Sequence, residues 1–202
     1  MIVNPHAPSG CLESVEKLDV LARKFRGVLL IDEAYVDFAS HDALPLIDPK
    51  RGLHNVLLLR TLSKGYSLAG LRFGYGLGSA KLVAILNKIK DSYPTDILAQ
   101  AAATAALEHR DAAAKTWQLV INERQRLAAE LTRRGYRVYP SESNFLLVVP
   151  PAGQAAKKVY ESLKERAVLV RYFDQDRLRD KLRITVGTPE QNERLLEGLA
   201  TP

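Results

Sequence analysis

Two short apolar runs place the strongest constraint on how this chain can fold. Residues 28–31 and 56–59 each have the length of a strand and contain only valine, leucine and isoleucine. Strands that are buried on both faces show such continuous hydrophobic runs, and they are typical of parallel sheets covered by helices. The sequence therefore predicts an α/β fold built on a mostly parallel sheet.

Polar side chains follow each run, at the point where the predicted strand ends. Asp32 and Tyr35 come after the first run, and Ser63 and Lys64 come after the second, with Arg72 eight residues beyond the lysine. In open α/β sheets, ligands bind outside the carboxyl ends of the strands. A carboxylate such as Asp32 at this position is either a cap for the next element or a ligand group, and the sequence leaves both interpretations open.

The pattern of elements changes after Gly135. Before this residue, apolar positions at helical spacing predict four helices, over residues 14–26, 82–89, 96–108 and 112–134. After it, shorter elements alternate: strands over residues 137–139, 144–149, 168–171 and 182–186, and a helix over 155–166. We therefore expect a partial large domain over residues 1–110, a connecting long helix over 111–135, and a small C-terminal α+β domain over 136–202.

A strong helix start lies near the end of the chain. Thr188 is a suitable N-cap, Pro189 fits the first helical position, and Gln191 stands three residues after the cap. In this pattern the cap and the glutamine satisfy each other's backbone N–H groups. The sequence therefore predicts a final helix that begins at Pro189.

Charge and composition bear on several functional classes. The net charge is +6, from 29 Lys plus Arg against 23 Asp plus Glu, and the basic residues are dispersed, which favours small anionic ligands over nucleic acid. No apolar run approaches the ~20 residues of a membrane span, and the first residues lack a secretory signal, so we expect a cytoplasmic protein. Cys11 is the only cysteine and the histidines lack metal-ligand spacing, so we expect no metal site.

Four motifs occur in a fixed order along the chain. They are Asn4-Pro5 followed by Pro8-Ser9-Gly10, Asp32 with Tyr35, Ser63-Lys64 with Arg72, and Arg183 within Leu-Arg-Ile-Thr-Val-Gly. Together they resemble the class I and II pyridoxal-phosphate (PLP) aminotransferases of the aspartate aminotransferase fold. Residues 168–173 and 182–192, with 60–64 and 69–72, are most similar to the histidinol-phosphate aminotransferase branch of that family.

The resemblance implies a fold of the PLP-dependent transferase fold type I and catalytic roles for three residues. Lys64 would form a Schiff base with the cofactor aldehyde and then, as a free amine, move a proton between the substrate carbon and the cofactor C4′. Asp32 would keep the pyridine nitrogen protonated, so that the ring can accept electrons. Tyr35 would donate a hydrogen bond to the ring 3′ oxygen.

The same resemblance implies a set of cofactor-binding residues. Ser63 and Arg72 would hold the cofactor phosphate, since a hydroxyl and a guanidinium fork are suited to this anion. Thr61 would assist them, although a threonine at a strand end is equally well structural. Asn4 completes the expected set, but the family commonly has an asparagine directly before Pro-Ser/Thr-Gly, where this chain has Ala7.

Substrates and assembly are also implied by the resemblance. Arg183 would meet the phosphate of histidinol phosphate and the carboxylate of glutamate or 2-oxoglutarate in turn, with Arg171 and Asn144 in the same neighbourhood. The expected reaction is amino-group transfer in histidine biosynthesis, by a homodimer. Family members carry a substantial segment before the Asn-Pro motif, so we expect a truncated chain that lacks its N-terminal part.

Other activities remain open. An aminotransferase for aromatic amino acids and a threonine-phosphate decarboxylase-like enzyme would use the same motifs. A third interpretation, from a different class, is an inactive fragment or an interaction module of this fold.

Overall fold

The computed structural model of the protein describes residues 1–200, which divide into two compact units. The first unit comprises Met1–Ala7 and Leu12–Trp117, and the second comprises Pro8–Cys11 and the chain from Gln118 onward. Each unit has its own four-stranded sheet and its own hydrophobic core. Within residues 1–200, no helix has the length and apolar character needed to cross a membrane.

The first unit is organised around a mostly parallel sheet, as the sequence predicts. Its strands lie in the order β1 (Ile2–Val3), β2 (Leu29–Asp32), β3 (Val56–Thr61) and β4 (Gly74–Gly78). The first three strands are parallel, and β4 pairs antiparallel with β3. Ile31 and Leu58, which are register partners on β2 and β3, have no exposed surface. The two apolar runs therefore form the inner strands of this sheet, except that Val28 precedes β2 and is 49% exposed.

Helix α1 (Val15–Lys24) covers this sheet. It begins at Ser14, whose hydroxyl accepts from the N–H of Lys17, and it buries Leu18 in the core of the unit. Asn55 holds its other end, because Nδ2 donates to the carbonyls of Ala22, Phe25 and Gly27 at 3.0–3.1 Å. Such bonds satisfy carbonyl groups that a helix end would otherwise leave unpaired.

Four 3₁₀ turns and three further helices follow in the chain. The turns are Val36–Phe38, Leu44–Ile47, Pro49–Arg51 and Ala69–Leu71. The helices are α2 (Ala80–Asn87), α3 (Ile97–Glu108) and α4 (Arg110–Arg133). Trp117, within α4, is the last residue of the first unit.

The second unit has an antiparallel sheet in the order β5-β6-β8-β7. The strands are β5 (Arg137–Val138), β6 (Phe145–Val149), β7 (Arg171–Tyr172) and β8 (Leu182–Thr185), accompanied by α5 (Ala156–Glu165) and α6 (Pro189–Ala200). The predicted start of α6 is confirmed, since the Thr188 hydroxyl accepts from the Gln191 N–H and the Gln191 side chain accepts from the Thr188 N–H.

The strand predicted over residues 168–171 is wrong in most of its extent. Only Arg171 and Tyr172 pair with β8. Ala167 adopts a positive φ of 58°, and the N–H of Val168 donates to the carbonyl of Leu163 at 2.9 Å. This bond closes the end of α5. Val168 therefore caps a helix where the apolar pattern predicts a strand.

Candidate active site

The carboxyl ends of β1, β2 and β3 bring together most of the residues that the motifs single out. The N–H of Asn4 donates to the carbonyl of Asp32 at 2.8 Å, and the N–H of Glu33 donates to the carbonyl of Leu59 at 2.8 Å. Because these neighbouring strands are parallel, they end at one edge of the sheet. Asp32, Tyr35, Ser63 and Lys64 leave the strands at this edge.

Lys64 lies in the turn that follows β3, and its side chain is exposed. Its Nζ is 5.7 Å from the centroid of the Tyr35 ring. Within the part of the chain that the structure describes, no hydrogen bond or ion pair engages this Nζ. An accessible amine without an acidic partner can attack a carbonyl carbon once it loses its proton.

Asp32 and Tyr35 lie on the segment that follows β2. Asp32 is half-buried, and its Oδ1 accepts from the N–H of Ala34 at 3.0 Å. Among the described residues, no hydrogen bond reaches its second oxygen. One oxygen therefore stabilises the turn, which is the capping interpretation, and the role of this carboxylate as a ligand group stays a prediction.

Ser63, Thr61 and Arg72 lie at the same end of the β3–β4 pair. The register places Thr61 opposite Gly74, and the N–H of Leu62 donates to the carbonyl of Phe73. The Thr61 hydroxyl accepts from the N–H of Ser63 at 3.1 Å and lies 2.9 Å from the Ser63 hydroxyl. Arg72 is exposed, and its Nη1 donates to the carbonyl of Ala69 at 2.9 Å. This end of the pair thus offers hydroxyl and guanidinium donors for an anion.

The side chain of Asn4 has a different geometry from the other predicted cofactor ligands. It is buried, its Oδ1 accepts from the N–H of Glu13 at 2.7 Å, and its Nδ2 donates to the carbonyl of Glu13 at 3.2 Å. Both polar atoms of the amide therefore contact the backbone just before α1. In this structure Asn4 supports the loop that borders the site.

A buried charge cluster beside the site was missed by the sequence analysis. Glu33 is 1% exposed, and its Oε2 accepts from Nε of Arg60 at 2.8 Å while its Oε1 accepts from the N–H of Ala43 at 2.7 Å. Nη2 of Arg60 donates to Asp42 at 2.9 Å. Burial acts to lower the pKa of Arg60, but Glu33 and Asp42 outweigh it and the pKa is raised. The sequence did contain a signal for this ion pair, because Glu33 and Arg60 each lie within two residues of the end of one of the two predicted strands.

Asp37 extends this cluster toward the lysine turn. Its carboxylate packs against the backbone of Gly65, the residue after Lys64. Burial raises the pKa of Asp37 from 3.8 to about 6, although the charges of Arg60 and Arg110 partly oppose the shift. Folding therefore disfavours the charged form of this carboxyl group relative to the unfolded chain.

The substitution Asp37→Asn is expected to stabilise the first unit at neutral pH. Between pH ~4 and ~6 the folded state binds more protons than the unfolded state, so the stability falls as the pH rises through this range. At about 1.4 kcal/mol for each pKa unit, the ionised carboxylate costs up to about 3 kcal/mol above pH ~6, and the amide removes that cost. Urea unfolding of both proteins near pH ~7.5 and pH ~4 measures the difference.

The exposed residue Asp91 offers a matched control. Asp91→Asn is expected to change stability by less than about 0.5 kcal/mol at either pH. A gain in Asp37→Asn that is equally large near pH ~4 would show that ionisation is not its cause.

The predicted substrate residues lie in the second unit. Arg171 on β7 is directly opposite Arg183 on β8, and both guanidinium groups approach the ring of Phe173, at 5.4 and 5.8 Å. Arg183 also lies 4.9 Å from the centroid of Phe145, and its buried Nε has no hydrogen-bond partner among the described residues. Asn144 directly precedes β6, and its carbonyl accepts from the N–H of Val186 at 2.9 Å.

This pair of arginines has the properties of an anion receptor. Like charges directly opposite each other destabilise a sheet, and contacts with aromatic rings offset only part of that cost. Neither guanidinium forms an ion pair with a carboxylate within residues 1–200. A buried donor without a partner calls for a ligand or another explanation. A phosphate or carboxylate would satisfy both observations.

The fold and the site define the class of this protein. It is an open-sheet α/β protein that presents a lysine amine, a carboxylate and anion-binding donors at the carboxyl edge of its parallel strands. The sequence matches the family model of aminotransferase class I and II over residues 1–199. The chain belongs to the class I and II aminotransferase family, and its fold is that of the fold type I enzymes.

Individual relatives agree with this assignment. The chain is 48% identical over 198 residues to histidinol-phosphate aminotransferase 1 of Nostoc sp., covering 98% of this chain and 55% of that protein. It is 43% identical to histidinol-phosphate aminotransferase 1 of Pseudomonas fluorescens, covering 97% and 56%. The crystal structure of histidinol-phosphate aminotransferase from Sinorhizobium meliloti, in complex with pyridoxal-5'-phosphate, superposes with a TM-score of 0.85 at 29% identity, covering 98% of this chain and 55% of that one. The chain thus spans a little over half the length of these relatives.

Proposed function

We propose that the protein transfers an amino group between histidinol phosphate and 2-oxoglutarate in histidine biosynthesis, with PLP as its cofactor. The observation that carries this proposal is the unpaired Lys64 amine at the sheet edge, beside Asp32, Tyr35 and Ser63. Relatives that are 40–48% identical over nearly the whole chain are named histidinol-phosphate aminotransferases, which supports the same reaction.

The residues at the sheet edge fit PLP in their chemistry. PLP, when bound, supplies an electron sink for the negative charge that develops on a substrate carbon. Lys64 would be the point of attachment, and its Nζ would take and return a proton at that carbon. The second oxygen of Asp32, which accepts no hydrogen bond from the described residues, would serve the pyridine nitrogen, and the Tyr35 hydroxyl would donate to the 3′ oxygen.

The phosphate of the cofactor is assigned to the end of the β3–β4 pair. The Ser63 hydroxyl and the Arg72 guanidinium are its donors in this proposal. Thr61 orients Ser63 through the hydroxyl contact of 2.9 Å. Asn4 contributes indirectly, by holding the neighbouring loop through its two bonds to Glu13.

The substrate phosphate is assigned to Arg183 and Arg171. Two guanidinium groups opposite each other match the two charges of a phosphate monoester better than a single arginine does. The carboxylate of glutamate or 2-oxoglutarate occupies the same arginines in the second half of the reaction. Asn144, at the start of β6, borders this pair in the proposal.

Three further features belong to the proposal. The expected division into residues 1–110, 111–135 and 136–202 assigns PLP to the first part and the substrate anion to the last. We propose a homodimer, which the strongly exposed Ile97 and Leu98 on α3 support, at 79% and 78% exposure. We also propose a cytoplasmic location, as the sequence leads us to expect.

Arg183→Gln tests the substrate assignment. Loss of a charge-assisted hydrogen bond removes about 1.5–3 kcal/mol, so kcat/KM for histidinol phosphate is expected to fall about 10- to 100-fold in Arg183→Gln. In Arg171→Gln we expect a smaller decrease of kcat/KM. Arg137→Gln is the control, because Arg137 is an exposed arginine of the same sheet that also lies over an aromatic ring, 4.9 Å from the centroid of Tyr139. It should retain activity.

The same assay separates the alternative activities. Turnover of phenylalanine in preference to histidinol phosphate would indicate an aromatic aminotransferase, and CO₂ release from threonine phosphate would indicate a decarboxylase. Absence of turnover with all three, in protein that binds PLP, would favour a non-catalytic interaction module. Equal losses in Arg183→Gln and Arg137→Gln would contradict the assignment of the anion site.

A further inference from the structure

We propose that Trp117 is a positioning residue for Lys64, which it acts on through the backbone of Gly65. This inference rests on the proposed function of Lys64, but the contacts that carry it lie entirely within the first unit. Trp117 is on α4, and it is separated from Gly65 by 52 positions in the sequence.

The indole of Trp117 holds the two residues that follow Lys64. Trp117 is 5% exposed, and its Nε1 donates to the carbonyl of Gly65 at 2.6 Å. The ring of Tyr66 meets the indole edge-on, with centroids 5.3 Å apart and an interplanar angle of 79°. A buried tryptophan N–H usually requires a partner, and here the partner is the backbone beside the lysine.

Asp37 contacts the same glycine from another element. A side chain at position 65 would overlap the Asp37 carboxylate, so the close approach requires glycine there. Asp37 belongs to the turn Val36–Phe38, which begins directly after Tyr35. Gly65 is therefore fixed between the indole of Trp117 and the short turn that directly follows Tyr35.

The rest of the lysine turn is closed by its own backbone. The N–H of Ser67 donates to the carbonyl of Lys64 at 3.1 Å, and the N–H of Leu68 donates to the carbonyl of Leu62 at 3.0 Å. Ser67 has a positive φ of 57°, which a serine adopts only at a cost. Contacts from outside the turn are therefore needed to hold it, and Trp117 and Asp37 provide them.

The consequence concerns where the amine of Lys64 can reach. The side chain is long, exposed and flexible, so its range depends on the position of its own backbone. Fixing Gly65 relative to Tyr35 fixes the origin of the lysine relative to the residue that lies 5.7 Å from its Nζ. Pre-positioning of a reacting group lowers the barrier that it has to cross.

The test uses Trp117→Phe, which keeps an aromatic ring in the core and removes the N–H donor. Two quantities are measured in the full chain: the rate at which PLP becomes attached to Lys64, trapped with borohydride and mapped by mass spectrometry, and the pH midpoint of the absorbance of the attached cofactor. We expect attachment to slow by about tenfold and the midpoint to shift, since a buried carbonyl has lost its partner. Amide hydrogen exchange over residues 64–68 should accelerate in the absence of PLP.

Asn55→Ala is the matched control for general loss of stability. It removes three side-chain bonds in the same unit, at the end of α1, and leaves the lysine turn intact. If Asn55→Ala slows attachment and accelerates exchange over residues 64–68 as much as Trp117→Phe does, the positioning role is overturned. Attachment and exchange in Trp117→Phe at the rates of the unchanged protein would overturn it as well.

A second pair of variants covers the case in which Trp117→Phe does not fold. Gly65→Ala should slow attachment because the methyl group displaces the turn, and the added substitution Asp37→Gly should restore part of the rate, because it removes the Asp37 side-chain atoms, Cβ included, that the methyl group would overlap. If the rate is not restored, the proposed close contact between Gly65 and Asp37 is contradicted. If the unchanged protein attaches no PLP at Lys64, the proposed function fails, and the exchange rates alone then decide whether Trp117 holds the turn.

Discussion

Lys64→Ala is expected to abolish the covalent attachment of PLP to this protein. Attachment requires a primary amine that condenses with the cofactor aldehyde and releases water, and Lys64 is the lysine at the carboxyl edge of the parallel strands. Its Nζ has no acidic partner among the described residues and lies over the Tyr35 ring. Borohydride reduction followed by peptide mapping should find the cofactor on Lys64 in the unchanged protein and nowhere in the variant.

Two controls define what this loss means. Lys81→Ala removes another exposed lysine, at the start of α2, and should leave attachment unchanged. Lys64→Arg keeps a positive charge at the site but cannot form the linkage, so it separates attachment from electrostatic attraction of the cofactor phosphate. Cofactor trapped on Lys81, or an undiminished yield in Lys64→Ala, would contradict the assigned role.

Arg60→Ala is expected to cost the first unit about 3–5 kcal/mol of unfolding free energy, because it leaves buried acids without a compensating charge. Glu33 is 1% exposed and Arg60 is 17% exposed at the side chain, so water cannot replace the lost partner easily. Asp42 and the Ala43 loop would lose their connection to β3 at the same time. Urea unfolding followed through Trp117, the only tryptophan, reports on this unit directly.

An exposed pair in the same unit supplies the comparison. Arg51 contacts Asp19 at 3.3 Å with its side chain 40% exposed, so Arg51→Ala should cost no more than about 1 kcal/mol. The double variant Arg60→Met, Glu33→Gln should recover part of the loss, because the fully buried Glu33 charge is removed and only the partly exposed Asp42 loses its partner. Equal costs for Arg60→Ala and Arg51→Ala would show that the buried pair contributes no more than a surface pair.

The charge cluster also bears on the chemistry of the sheet edge. Burial raises the pKa of Asp37 and the charge of Arg60 partly opposes that shift, while Asp37 packs on the glycine beside Lys64. The cluster therefore links the stability of the unit to the position of the lysine turn. Asp37→Asn, expected to stabilise the fold, thereby also tests whether the turn tolerates an amide in that contact.

Much of the first unit follows from local sequence. The runs over residues 28–31 and 56–59 supply β2 and β3, apart from the exposed Val28, because inner strands covered by helices need apolar side chains on both faces. The start of α6 is equally local, since Thr188 and Gln191 lie within one turn of each other. The order of the motifs around Lys64 was sufficient to indicate the family.

Other features depend on contacts between residues that are far apart in the chain. Asp32 and Glu33 are adjacent acids, but Arg60 forms an ion pair only with Glu33. This contact with a residue 27 positions away distinguishes the two carboxylates, and the local sequence does not. Residues 168–170 were apolar enough for a strand, but Val168 binds the end of α5 instead.

The contact between Trp117 and Gly65 is of the same kind. A tryptophan at an apolar position of a helix predicts packing in the core. The neighbouring residues do not indicate which backbone carbonyl will accept a hydrogen bond from its N–H. Hydrophobic periodicity specifies which side chains are buried, whereas the partner of a buried polar group is specified only when the fold brings distant elements together. The lysine turn was thus evident in the sequence of this protein, and the means by which it is held was decided by its tertiary structure.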